Sequence, residues 1–304
     1  MYDLTFLRNP QLKSGFEDIL NQELTGQGES FYVDVNAGSD SSDGKSWGRP
    51  FKTLTVAITA SNANIASGAK GWAARNRIYF KGDNNEAHKE TLTTLPSKCD
   101  VIGVGSYDHK PYPVLIGNHV IGAGAYMGTR FINVGFRKLA AGGAIFTVPT
   151  TTSGLKFIGC VFDGSDTIVA TYGLVATAVE QLEIVDCKFI GAFSTAAISI
   201  GTGESNGLLI KGNFIQSGAT GVLINAGMTC TVRGGYIVEN VFNVVTLTVN
   251  DAAGKTVIGD NRGRTAAAKE IATVLVAGTG MAYNNFFGNA TGWGVYPAVA
   301  AITE

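Results

Sequence analysis

From residue 131 to residue 286 of this chain a large side chain returns at nearly constant intervals, each time closing a short apolar run. The runs are Phe131-Ile-Asn-Val-Gly-Phe136, Phe157-Ile-Gly-Cys-Val-Phe162, Ile184-Val-Asp-Cys-Lys-Phe189, Leu209-Ile-Lys-Gly-Asn-Phe214, Thr231-Val-Arg-Gly-Gly-Tyr236, Thr256-Val-Ile-Gly-Asp-Asn261 and Met281-Ala-Tyr-Asn-Asn-Phe286. Their last residues are 26, 27, 25, 22, 25 and 25 apart. Two weaker runs, 78–83 and 100–105, extend the series to about nine units. Each run reads as a short strand, a bend of Gly, Asn or Asp that accepts left-handed backbone angles, and a large residue turning inward. A second apolar strand lies between runs, as in Ile198-Ser-Ile200, Val222-Leu-Ile224, Leu247-Thr-Val249 and Val274-Leu-Val276. This is the period and content of one coil of a right-handed parallel β-helix. A β-sandwich, the competing all-β architecture, does not require the large residue to recur. Nine coils at a strand spacing of ~4.8 Å make a rod of roughly 40 Å.

Stacked coils place equivalent residues in columns. Phe136, Phe162, Phe189, Phe214, Tyr236 and Phe286 are expected to form an interior aromatic column, with Leu155, Leu182 and Leu208 as an aliphatic column beside it. Cys160 and Cys187 fall at equivalent positions of successive coils, within reach of a disulfide, and in a reducing compartment they are expected as stacked thiols. The composition agrees: 45% hydrophobic residues, 15% charged residues and 40 glycines suit a turn-rich β-protein.

The coils have an entry. The segment Phe31-Tyr-Val-Asp-Val-Asn-Ala-Gly-Ser-Asp-Ser-Ser-Asp-Gly-Lys-Ser-Trp-Gly-Arg-Pro-Phe-Lys-Thr-Leu54 leads into residues 51–66, where Leu54, Ala57, Ile58 and Ile65 recur at helical spacing and predict a cap helix over the first coil. This entry resembles that of right-handed β-helix proteins of the pectate-lyase-like superfamily, which includes polysaccharide lyases and hydrolases, bacteriophage tailspikes and non-catalytic surface proteins. Together with the repeat, the resemblance covers most of residues 31–288. It specifies the fold more closely than the activity.

The chain accordingly divides into an arm at 1–30, an entry strand and cap helix at 31–70, a β-helix at 71–290 and a C-terminal tail at 291–304. In the arm, Ser14-Gly-Phe-Glu17 has capping-box spacing, and Phe16, Ile19, Leu20 and Leu24 share one face of the helix that follows. That face is expected to pack on the rod or to bind sister chains or a larger particle. The apolar stretch from Trp293 to Ile302 is expected to close the far end or to lie against a neighbour.

The chemistry-bearing residues are sparse. Glycoside hydrolysis needs two carboxyl groups facing one groove, and Asp163, Asp166 and Asp186 come nearest to that, with Lys188 beside them. Asp in bends and on outward strand positions is the alternative reading. A lyase needs a calcium-binding carboxylate cluster and a base. Asp34, Asp40 and Asp43, with Asn36, Gly38 and Gly44, have the look of a calcium loop, but Asx turns account for them without a metal, and no other cofactor is expected. His88, His109 and His119 fall in the irregular early coils, and Asp260, Arg262 and Arg264 read as a solvated turn. Tyr107, Tyr112 and Tyr126 are candidates for stacking on sugars.

A formal net charge of −1 disfavours nucleic-acid binding. No run reaches the ~18 apolar residues of a membrane span, and the charged first residues lack the apolar core of a secretory signal. The resemblance and these features imply a non-enzymatic structural protein of a bacteriophage virion, a capsid decoration or tail-associated spike. It would be made in the host cytoplasm and assembled as a homotrimer with other virion proteins. A tailspike-like polysaccharide depolymerase and a module binding host surface glycan are the alternatives.

Overall fold

The computed structural model describes residues 28–66, 74–82, 89–105, 113–164, 169–265, 271–273, 281–289 and 292–296. Three parallel sheets, each built from one strand per coil, make an all-β parallel β-helix. Sheet 1 has ten strands, from Ser30–Asp34 to Met281–Tyr283. Sheet 2 has nine, from Val114–Ile116 to Asn285–Asn289 and on to Gly292–Tyr296, which is antiparallel to its neighbour. Sheet 3 has seven, from His119–Val120 to Ile271–Thr273.

Seven turns therefore carry a strand on every face, fewer than the nine expected. Among the described residues the first two strands of sheet 1 have no counterparts in sheet 3, and the last described strand, Gly292–Tyr296, runs antiparallel to its neighbour. That strand occupies the open edge of sheet 2, so part of the C-terminal stretch does close an end. The other end is covered by helix α1 (Leu54–Ala66), which buries Leu54, Ala57, Ile58 and Ser61 against the first strands. The Glu90 carboxylate accepts hydrogen bonds from the Leu54 and Thr55 amides at 3.0 and 2.6 Å and caps this helix from a different coil.

The interior follows the expected logic with one correction. Phe136, Phe162 and Phe189 are in register on sheet 2 and fully buried, with Phe162 and Phe189 stacked at 4.5 Å. Leu155, Leu182 and Leu208 are also buried. Beyond Phe189, however, the inward column continues through Ile215 and Phe242, while Phe214, Tyr236 and Phe286 are 38%, 53% and 47% exposed. Side chains alternate along a strand, so a slip of one residue moves a ring to the other face. Tyr236 lies not on sheet 2 at all but on the outer face of sheet 1, in register with Leu209. The strand after Leu223 likewise begins at Val249, not Leu247, and 274–276 lie outside the described residues.

An asparagine column fixes the true register. Asn213, Asn240, Asn261 and Asn285 are buried at the corner between sheets 1 and 2. Their Nδ2 atoms donate back one coil to the carbonyls of Ile184, Ile210, Ile237 and Ile258 at 2.8 to 3.0 Å. Their Oδ1 atoms accept from the amides of Cys187, Asn213, Asn240 and Asn261. Cys160 and Cys187 head the same column as free thiols, with Sγ 3.3 and 3.4 Å from the Phe131 and Phe157 carbonyls. They fill the donor's place in the first two levels of the column.

Immediately before this column stand Asn133, Gly159, Asp186, Gly212, Glu239, Asp260 and Asn284, one per coil and all with φ between 46° and 69°. The sharp bend from sheet 1 to sheet 2 needs a left-handed residue there, and Gly, Asn and Asp adopt it at least cost.

Candidate functional site

The rod presents two contrasting outer faces. On sheet 1, Tyr32, Tyr79, Ile102, Ile132, Ile158, Val185, Lys211, Val238, Gly259 and Tyr283 follow one another in register up the outside. The four aliphatic side chains from Ile102 to Val185 are half-buried. Beside them the charges neutralise one another: Arg130 donates to both carboxylate oxygens of Asp100 at 2.6 and 2.8 Å, and Lys156 reaches Glu183 at 2.7 Å. Lys211 pairs with Glu239 at 3.2 Å. The result is a straight apolar stripe with a self-satisfied ionic margin.

Sheet 2 differs. One outward column runs Lys188, Phe214, Val241, Arg262, Phe286, and the next includes Gln216, Asn243 and Arg264. These side chains point outward because Ile215 and Phe242, between them in sequence, point in. Among the described residues the side chains of Lys188, Gln216, Asn243, Arg262 and Arg264 make no hydrogen bond or ion pair. Beside them, at the corner toward sheet 3, Gly191, Ala192, Gln216, Ser217, Gly218, Asn243, Val244 and Val245 line an open cleft of about 340 Å³. The missing side chains of Gly191 and Gly218 hollow it out.

Compared with known protein families, curated proteins and solved structures, the chain matches none. What it can do must be read from its own surfaces.

The residues singled out in the sequence are dispersed. Asp163 lies on the outer face of sheet 2, in register with Arg137 and Ile190. Asp186 occupies the left-handed bend, level with Gly159 and Gly212. Those positions belong to different columns, four residues apart along the coil, so the two carboxylates do not flank one groove. Asp166 lies outside the described residues, as do His88, His109, Tyr107, Tyr112 and the arm residues Phe16, Ile19, Leu20 and Leu24. Tyr126 packs partly buried against the core. Arg262 and Arg264 belong to a strand, Arg262–Thr265, rather than to a turn.

The three acids of the entry segment bind backbone amides, and two of them, Asp34 and Asp43, also pair with a cation. Asp34 accepts from the Asn36 and Ala37 amides at 3.0 Å and from Lys81 Nζ at 2.8 Å. Burial opposes ionisation of Asp34, but these hydrogen bonds outweigh it and hold its carboxyl below the usual range. Asp40 accepts from the Lys52 and Thr53 amides, and Asp43 from the Lys45 amide while pairing with Arg49 at 3.1 Å. Asp34 and Asp43 thus close their own turns, whereas Asp40 ties the entry loop to the residues just before α1. Among the described residues no three His, Cys, Asp or Glu side chains come together as metal ligands.

His119 sits inside the rod between the rings of Phe136 and Phe146, each 5.6 Å away. Its Nδ1 accepts from the Leu92 amide at 3.1 Å, while Nε2 is enclosed without a well-formed hydrogen bond. Desolvation pushes its pKa down to about 3, which keeps the imidazole neutral. Burial likewise pushes the Cys99 thiol up to about 12 and Cys187 well above the ordinary thiol value, so both stay protonated. These groups are core, not reagents. The sequence carried a signal for the sheet 2 face all the same: once Asn213, Asn240 and Asn261 are aligned instead of the aromatics, Phe214, Gln216, Asn243 and the two arginines all fall on outward positions.

Proposed function

We propose that this protein is a non-enzymatic structural component of a bacteriophage virion, a homotrimeric β-helical rod displayed on the capsid or tail. The observation that carries the assembly is the outer face of sheet 1. A straight aliphatic stripe of Ile102, Ile132, Ile158 and Val185, margined by internally paired charges, leaves a neutral surface that gains from burial against a like surface. Cyclic symmetry buries the same face in every chain. The virion placement rests on the resemblance of the entry segment and repeat to pectate-lyase-like β-helices, tailspikes among them, and on the amphipathic pattern of residues 14–24. The depolymerase alternative needs Asp163 and Asp186 in one groove, and their separation along the coil does not favour it.

Light scattering gives the test. The full chain should have the mass of a trimer, and Ile158→Lys should reduce it to a monomer whose β-sheet circular dichroism is retained. A trimer that survives Ile158→Lys but is lost on deleting residues 1–30 would place the contact in the arm. A full-length monomer would refute the assembly.

A further inference from the structure

We infer that the outer face of α1 is a docking site for the chain's own N-terminal arm, whose amphipathic stretch at residues 14–24 lies across it as a second layer of the cap. The starting point is what α1 lacks. None of its 13 residues is charged. Thr55, Thr59, Ala63 and Ala66 are exposed on the side away from the coils, flanked by the half-buried Val56 and Ala60. The polar groups near this surface are already satisfied within the fold. Thr55 Oγ1 donates to Glu90 at 2.5 Å and Thr59 Oγ1 to the Thr55 carbonyl at 2.9 Å. Asn62 donates to the Leu95 carbonyl at 3.1 Å and accepts from the Ser97 amide at 2.9 Å. A helix that offers water neither charges nor free polar groups is one that a fold covers, and the end unit of a stacked-coil rod needs a polar outer surface.

Connectivity selects the occupant. The chain enters the rod at Glu29, whose amide donates to Asn76 Oδ1 at 2.7 Å, and Asn76 Nδ2 donates to the Ser61 carbonyl and hydroxyl of α1 at 3.1 Å. The arm is thus rooted one side chain away from the buried side of α1. From that root the four residues Thr25 to Gly28 can span about 13 Å, more than the helix diameter of ~10 Å that separates the inner side of α1 from the outer. The stretch beyond them has the length and pattern that the surface requires. Residues 14–24 make a helix of ~16 Å, against ~20 Å for α1, and Phe16, Ile19, Leu20 and Leu24 gather on one side of it. Large side chains on one helix pack between the small ones of another, and α1 presents only Thr, Ala and Val there. Asp18, Asn21 and Gln22, on the opposite side of the arm, then supply the polar surface that the rod end lacks. The apolar stripe of sheet 1 begins at Ile102, two strands further along, and stays free for the assembly proposed above. The contact lies within one chain, so it holds whatever the oligomeric state.

Disulfide trapping in the full chain tests the inference, in a Cys230→Ser background because Cys230 is the one cysteine of the four that is not buried. Oxidation of Leu20→Cys/Thr59→Cys with copper phenanthroline should cross-link the arm to α1 within one chain. The reaction should run at least tenfold faster than in Asp18→Cys/Thr59→Cys, which starts from the polar side of the arm, and than in Leu20→Cys/Ile158→Cys, which probes the sheet 1 stripe. Hydrogen exchange gives a second reading that needs no new thiol. In Phe16→Ser/Leu20→Ser the amides of residues 54–66 should exchange at least tenfold faster, while those of the sheet 3 strand Ala196–Ile200 should keep their protection. Absence of the Leu20–Thr59 cross-link, a cross-link that joins two chains or favours Ile158, or exchange in α1 indifferent to the arm variant would each overturn the inference.

Discussion

Replacing Asn240 with alanine removes four hydrogen bonds at once. Its Oδ1 accepts from the Asn213 amide at 3.0 Å and from Asn213 Nδ2 at 2.9 Å, and its Nδ2 donates to the Ile210 carbonyl at 3.0 Å and to Asn261 Oδ1 at 2.9 Å. Two of the four partners have other bonds to fall back on: Asn213 Nδ2 still reaches the Ile184 carbonyl, and Asn261 Oδ1 still accepts from the backbone of residue 240. The Asn213 N–H and Ile210 C=O lose a partner in a place without water. Each such buried group costs about 1–3 kcal/mol, so the substitution should destabilise the protein by about 4 kcal/mol. Asn240→Cys supplies a control drawn from the molecule itself, because Cys160 and Cys187 already hold that position with a thiol donor. It restores the bond to Ile210 but no acceptor for Asn213, and should lose about half as much. Urea unfolding measures the difference, and hydrogen exchange at the Asn213 amide locates it, since in a solenoid a coil contacts only its neighbours. A loss under about 1 kcal/mol for Asn240→Ala, or unchanged protection of Asn213, would show that the column does not carry the corner.

Three further outcomes are expected. His119 titrates at about 3 when folded and 6.5 when free, so its stabilisation is complete above pH 6.5 and falls as the unfolded state takes up the proton. Between pH 6.5 and 5 the loss should be about 2 kcal/mol, and urea titrations of His119→Gln, which keeps an acceptor for the Leu92 amide, should lack that slope. Glu239→Gly relieves a left-handed residue at φ 59° and sacrifices only an exposed ion pair with Lys211, so thermal melting should show a gain of about 0.5–1 kcal/mol. Phe189→Ala should cost about 3–5 kcal/mol because its ring is fully buried, whereas Phe214→Ala should cost under about 1 kcal/mol; similar losses for both would contradict the register.

The recurrence of apolar runs near every 25 residues was legible in the sequence, and it specifies stacked coils because each coil can bury its apolar strand only against the next. The left-handed bends were legible too, from Asn133 through Gly212 to Asn284, since few residue types accept that conformation. So was α1, from the spacing of Leu54, Ala57 and Ile58. What tertiary structure alone decided is the inside and outside of each strand. In Asn213-Phe-Ile215 two large residues compete for the core, and hydrophobicity favours the phenylalanine. The buried amide column overrides it, because an unpaired Asn213 or Ile184 carbonyl costs more than an exposed ring recovers. Once the columns are set, chemistry scattered through the chain is gathered by the period of the coil: Lys188, Gln216, Asn243 and Arg264, remote in sequence, share a face, while Asp163 and Asp186, only 23 residues apart, are parted by a corner.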